Sequence, residues 1–196
     1  MAERSIQTSS KTVLVVGHSQ VAKLQFFGHF HRITTDVTNL SHDLVFKYVS
    51  RPGATIAEFQ DYSLLGEIEG YKADMVIMFM GSNDLDVPHN INLHSVLRNL
   101  KRTAVYIAEK KTPLMVIRIE IRPKPRHLDG ETYNQRRNGF NQKLKKCHGR
   151  DFLVLNCPVQ KEEFQLDGIH FTPLAYMRLY NHIRSDVIDE ARRLGW

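Results

Sequence analysis

The sequence predicts an α/β protein: a three-layer α/β/α sandwich built on a five-stranded parallel sheet. Five apolar runs rich in β-branched residues recur along the chain, and segments with helical spacing of apolar residues separate them, which is the pattern of repeated βαβ units. Two of the runs, Val13–Val16 and Met75–Met80, are almost wholly apolar, as strands buried on both faces should be.

The first strand is expected over Val13–Val16, followed by a helix over Gln20–Phe30. Leu44–Val49 reads as the second strand and Thr55–Leu65 as its helix. Met75–Met80 is the third strand, and the next helix, Leu93–Glu109, should start near Ile91 or Asn92. Leu114–Ile121 is the fourth strand, after which Pro123 and Pro125 hold the chain extended before a helix over Tyr133–Lys146. Lys47, Arg118 and Glu120 interrupt the second and fourth strands, which sets those two nearer the sheet edges. Phe152–Leu155 is the fifth strand. The last helix, Pro173–Leu194, begins with Thr172 as cap and proline in the first helical position, and Leu174, Met177, Leu179, Ile183, Val187, Ile188 and Ala191 mark its apolar face.

At 196 residues and 42% hydrophobic content the chain suits one domain, expected over 12–196, with 1–11 as a disordered N-terminus. No apolar stretch approaches bilayer-spanning length, and the first ten residues are polar. Cys147 and Cys157 flank the fifth strand, too far apart along an extended segment for a bridge, so a reducing compartment such as the cytoplasm is expected. The formal charge is +6, and ten basic residues crowd one third of the chain, from Arg118, Arg122, Lys124 and Arg126 through Arg136, Arg137 and Lys143 to Lys145, Lys146 and Arg150. Such a cluster is either a solvated helix face and loop or a contact for a polyanion. His29-Phe30-His31 and His42-Asp43 carry potential metal ligands but lack partners at finger spacing, so neither a metal nor a cofactor is expected.

Ligands of open parallel sheets bind beyond the carboxyl ends of the strands. Gly17-His18-Ser19-Gln20 follows the first strand, Arg51-Pro52-Gly53-Ala54 the second, Gly81-Ser82-Asn83-Asp84 the third, and Asp167-Gly168-Ile169-His170 the fifth. Together they offer a nucleophilic hydroxyl, oxyanion donors, a general base and a group to orient that base, the parts of an acyl-transfer site.

These four blocks, in this order over most of the chain, resemble those of the SGNH (GDSL-type) hydrolases. The resemblance implies the SGNH hydrolase fold with its flavodoxin-like sheet, and a serine esterase acting on small-acyl, acetyl-type esters. Ser19 would be the nucleophile, His170 the general base and then acid, and Asp167 the partner that orients His170. The backbone N–H groups of Ser19 and Gly53 and the side-chain amide of Asn83 would form the oxyanion hole. The substrate would be a small-molecule ester, an acetylated carbohydrate or a lipid, with Leu85, Val87, Phe164, Leu166, Ile169 and Phe171 as candidate walls of a shallow acyl pocket. The chain departs from the family pattern at His18, where Asp is usual, and at Gln20, where an apolar residue is usual; His18 could act as a competing base or a cation beside the nucleophile.

The stretch from Gly17-His18-Ser19 to Thr55-Ile56, with the basic segment around Tyr133-Asn134, is also similar to the SGNH esterase-like domains of some animal LINE-type retrotransposons. That resemblance implies an alternative: a catalytically weakened module whose basic segment contacts RNA or an anionic membrane surface.

Overall fold

The computed structural model describes residues 9–27, 32–38, 40–60, 62–109 and 111–196. Among these residues six strands form one sheet in the order β2-β3-β1-β4-β5-β6: β1 (Ser10–Gly17), β2 (Arg32–Ile33), β3 (Asp43–Ser50), β4 (Met75–Phe79), β5 (Leu114–Ile117) and β6 (Leu153–Leu155). The five expected strands are parallel and lie in flavodoxin-like order. The sixth, β2, corrects the expected count: two residues pair antiparallel with β3, too short a segment to register as an apolar run. β3 and β5 each lie one strand in from an edge, and β1 and β4 are central.

Seven α-helices, α1 (Ser19–Phe27), α2 (Thr35–Thr38), α3 (Tyr62–Gly70), α4 (Ser82–Leu85), α5 (Leu93–Glu109), α6 (Gly130–Lys145) and α7 (Pro173–Arg193), and two short 3₁₀ turns, Glu58–Gln60 and Lys161–Glu163, complete the described elements. The alternation along β1 shows the layering. Val13 and Val15 pack on one face with Val21 and Leu24 of α1 and Leu179, Ile183 and Val187 of α7. Leu14 and Val16 pack on the other with Ile68 of α3, Leu100 of α5 and Phe140 and Leu144 of α6. All four β1 side chains are buried, each worth roughly 1.5–3 kcal/mol relative to exposure.

Several boundaries differ from expectation for visible reasons. β1 starts at Ser10, ahead of the expected domain start, while residues 1–8 lie outside the described residues. β5 stops at Ile117, because Asn141 then takes both the N–H and the carbonyl of Ile119 and the chain turns toward α6. The helix expected over Thr55–Leu65 is a short 3₁₀ turn, Glu58–Gln60, followed by α3. Glu58 caps Thr55 and Asp84 accepts the Ile56 N–H, so the first residues of that segment are held by side chains. α6 starts at Gly130, capped by the Asp129 carboxylate on the Thr132 N–H, and α7 has the expected Thr172 cap, on the Ala175 N–H. Both cysteines are free, and no helix among the described residues is long and apolar enough to cross a membrane.

Candidate active site

The strand register brings three of the four loops together. Gly17, the last residue of β1, is paired with Ser50 of β3 on one side and Phe79 of β4 on the other, so these chains leave the sheet level with one another. Two residues on is Ser19, three on is Gly53 and four on is Asn83. Adjacent strands lie about 4.8 Å apart, so short loops from the three ends meet naturally at this switch in strand order. Ser19, Gly53, Asn83 and Ile169 line a cavity of about 140 Å³, with Pro52, Arg122 and Arg126 completing its wall.

Ser19 opens α1, where the positive end of the helix favours negative charge. Its N–H, its hydroxyl and the Gly53 N–H take no hydrogen-bond partner among the described residues. Gly53 sits at the second corner of a turn closed by Ala54 N–H to Arg51 O (3.1 Å), with φ +83, and a Cβ added there would meet open space. Asn83 is fixed from both ends: its Nδ2 donates to Ala54 O (2.9 Å) and its Oδ1 accepts from Arg122 (3.1 Å). One hydrogen of that amide remains free.

Asp167 and His170 form the expected pair, with His170 Nδ1 2.7 Å from Asp167 Oδ2. The other carboxylate oxygen accepts the backbone N–H groups of Ile169 and His170, each at 2.9 Å. Its partial burial works to raise the Asp167 pKa, but these N–H groups and the His170 ring outweigh it and hold the carboxyl below its ordinary value. Gly168 has φ +66 and its α-carbon presses on Lys124, where a Cβ would come within 2.5 Å of the lysine side chain and 2.8 Å of its backbone nitrogen. No hydrogen bond joins Ser19 Oγ to His170 in this structure.

His18 is not the competing base or cation its position suggested. It is fully buried, with Nε2 2.6 Å from Ser82 Oγ, while Nδ1 receives the Gln20 N–H at 3.4 Å. An accepting Nδ1 places the proton on Nε2, so His18 donates to Ser82. Burial pushes its pKa down to about 4; Glu120 pulls the other way, and Arg122 and His170 deepen the shift. His18 therefore joins the residue before Ser19 to the residue before Asn83.

Beneath the cavity lies a charge cluster that the sequence did not reveal. Arg122, buried, meets Asp86 (3.2 Å) and Glu120 (3.3 Å) and lies over the Tyr133 ring. Burial opposes its charge, but Glu120, Tyr133 and Asp86 overcome this and raise its pKa. The Asp86 carboxylate also accepts the Arg126 and His127 N–H groups, tying the Pro123–Pro125 segment to the floor of the site.

Much of the basic cluster is committed to intramolecular partners. Arg136 donates to the carbonyls of Leu85, Val87 and His89, Arg137 to Ile119 O, Lys124 to Leu166 O and Arg118 to Asn156. The expected acyl-pocket residues also scatter: Leu85 and Phe171 are core, Leu166 is 93% exposed, Val87 presents its carbonyl to Arg136, Phe164 packs edge-on against Phe171, and Ile169 lines the cavity. Of the candidate metal ligands, His29 and His31 lie outside the described residues, while Asp43 is paired with Arg32 and His42 with Ser41.

No family model matches the chain, and no curated protein does. Solved structures do. A GDSL-like lipase of Bacteroides thetaiotaomicron superposes with TM-score 0.73 at 14% identity, covering 92% of this chain and 89% of its own. An acetylxylan esterase of Geobacillus stearothermophilus gives 0.65 at 11%, covering 93% and 96%. An esterase of a Pseudoalteromonas species, inhibited by monoethylphosphonate, gives 0.60 at 15%, covering 93% and 100%.

Proposed function

We propose, from the SGNH-hydrolase fold that these structures share with the chain, that it is a serine carboxylic-ester hydrolase for small-acyl, acetyl-type esters. The observation that carries the proposal is the convergence of Ser19, Gly53 and Asn83 on one cavity of about 140 Å³, with Ile169, the neighbour of the paired His170, in its wall. A volume of that size suits an acetyl-sized group better than a long acyl chain.

In this reading Ser19 Oγ attacks the ester carbonyl carbon as its proton passes to His170 Nε2. The carbonyl oxygen becomes an oxyanion, held by the Ser19 N–H, the Gly53 N–H and the second hydrogen of the Asn83 amide, donors worth roughly 10²–10³ in rate each. Collapse expels the alcohol, which takes the proton from Nε2. Water then repeats the cycle on the acyl-serine, with His170 as base. Asp167 keeps the imidazole in the tautomer with Nδ1 protonated and stabilises the imidazolium, as the short Nδ1 contact allows. The Ser19–His170 hydrogen bond would close when substrate fills the cavity, since such bonds are often long in the free enzyme.

The test is turnover of p-nitrophenyl acetate, butyrate and octanoate. The rate should fall steeply with acyl length, and Ser19→Ala should abolish it with the melting temperature unchanged within a few degrees. Turnover no greater than that of the Ser19→Ala protein would remove the enzyme reading. Retention on RNA or anionic vesicles that falls with salt would then favour the binding module.

A further inference from the structure

We propose that Gln20 is a positioning residue, which sets the direction of the His170 side chain through the peptide bond that precedes it. The inference rests on the esterase reading for its kinetic consequence but not for its geometry.

Gln20 follows the nucleophile and is fully buried. Its Nε2 donates to Ile169 O at 2.7 Å, and its Oε1 accepts from the Tyr176 hydroxyl. Burial raises the Tyr176 pKa, so that hydroxyl stays protonated and remains a donor. A donor on that side fixes which way the Gln20 amide points, leaving its NH₂ toward Ile169. The Tyr176 ring is itself held, stacked on Phe27 at 5.3 Å and tilted against Phe171 at 5.1 Å.

The plane of the Ile169–His170 peptide is therefore clamped at both ends. Gln20 holds its carbonyl, and Asp167 Oδ1 holds its N–H at 2.9 Å. With that plane fixed and the carbonyl of His170 held by the Gln165 N–H at 2.8 Å, rotation between the two peptides is restrained and with it the Cα–Cβ bond of His170, and the Asp167–His170 contact sets the ring. A single amide so connects the residue after the nucleophile, the residue before the base and the first turn of α7. The apolar residue usual at this position in the family would leave Ile169 O buried without a donor.

The test compares Gln20→Leu, Gln20→Met and Tyr176→Phe with the unaltered protein. Gln20→Met keeps an unbranched side chain but has no donor for Ile169 O; Tyr176→Phe keeps the Ile169 bond but frees the amide to turn over. On p-nitrophenyl acetate, both Gln20 variants should lose about 10²-fold in kcat, the scale of a misplaced catalytic group, with KM changed less than about threefold, and Tyr176→Phe should lose about tenfold. The His170 Hε1 proton resonance, read without substrate, should be single and narrow in the unaltered protein and broadened or doubled in both Gln20 variants. Unchanged resonance in folded Gln20→Leu and Gln20→Met would overturn the inference, as would unchanged kcat in an active enzyme. An altered resonance in a chain that turns over no ester would uphold the positioning role while removing the esterase reading.

Discussion

His18→Gln tests whether the buried histidine is a neutral donor. A glutamine amide can reach the same Ser82 hydroxyl but cannot take up a proton near neutrality. In the native chain the His18 pKa falls from 6.5 to about 4 on folding. The unfolded chain therefore takes up a proton below about pH 6.5 that the folded chain refuses until about pH 4, so this contribution leaves stability intact above that window and erodes it as pH falls through it. At about 1.4 kcal/mol per pKa unit the full loss is roughly 3 kcal/mol, of which roughly 2.5 kcal/mol is spent by pH 4.5. Asp84 hides the effect in the native protein, because burial pushes its carboxyl up to about 7 and its contribution is lost as pH rises over nearly the same range. Folding moves one proton off His18 and one onto Asp84, so the two slopes largely cancel. The variant removes one of them. In urea titrations, the stability of the native chain minus that of His18→Gln should drop by roughly 2.5 kcal/mol between pH 8 and pH 4.5, a shift of about 1 M in relative midpoints. A difference independent of pH would refute the burial and protonation assigned to His18.

Three further outcomes follow from the same geometry. Asp167→Asn should fold normally but lose about 10⁴-fold in kcat on p-nitrophenyl acetate, because an amide cannot enforce the imidazole tautomer. Arg122→Met should leave Asp86 and Glu120 buried without their cation and cost about 3–5 kcal/mol in urea unfolding, a large share of a typical domain's stability. Thr172→Ala removes the hydroxyl that accepts the Ala175 N–H and should cost about 1 kcal/mol, read as a small fall in melting temperature.

The two central strands are legible because burial on both faces writes an uninterrupted apolar run, as at Val13–Val16 and Met75–Phe79, and the other three parallel strands as β-branched runs set between helical segments. β2 is not, since two residues leave no period. Leu114–Ile121 read too long because Ile119 and Ile121 alternate with Arg118 and Glu120, which imitates an edge strand; in the fold Glu120 is buried with Arg122 instead. Ser19, Gly53, Asn83, Asp167 and His170 are candidates that short blocks in the loops after the strands suggest. The residues that hold them could not be read this way. His18 meets Ser82 across 64 residues and Gln20 meets Ile169 across 149, so nothing local distinguishes a buried, satisfied polar side chain from an exposed one. Arg122 was counted with a surface cluster for the same reason.

Covalent labelling with a fluorophosphonate probe reads the proposed activation of the Ser19 nucleophile without knowledge of the substrate. Mass spectrometry should find a single adduct on the peptide containing Ser19, absent in Ser19→Ala and strongly slowed in His170→Ala. An unlabelled native protein, or an adduct that persists in Ser19→Ala, would contradict it.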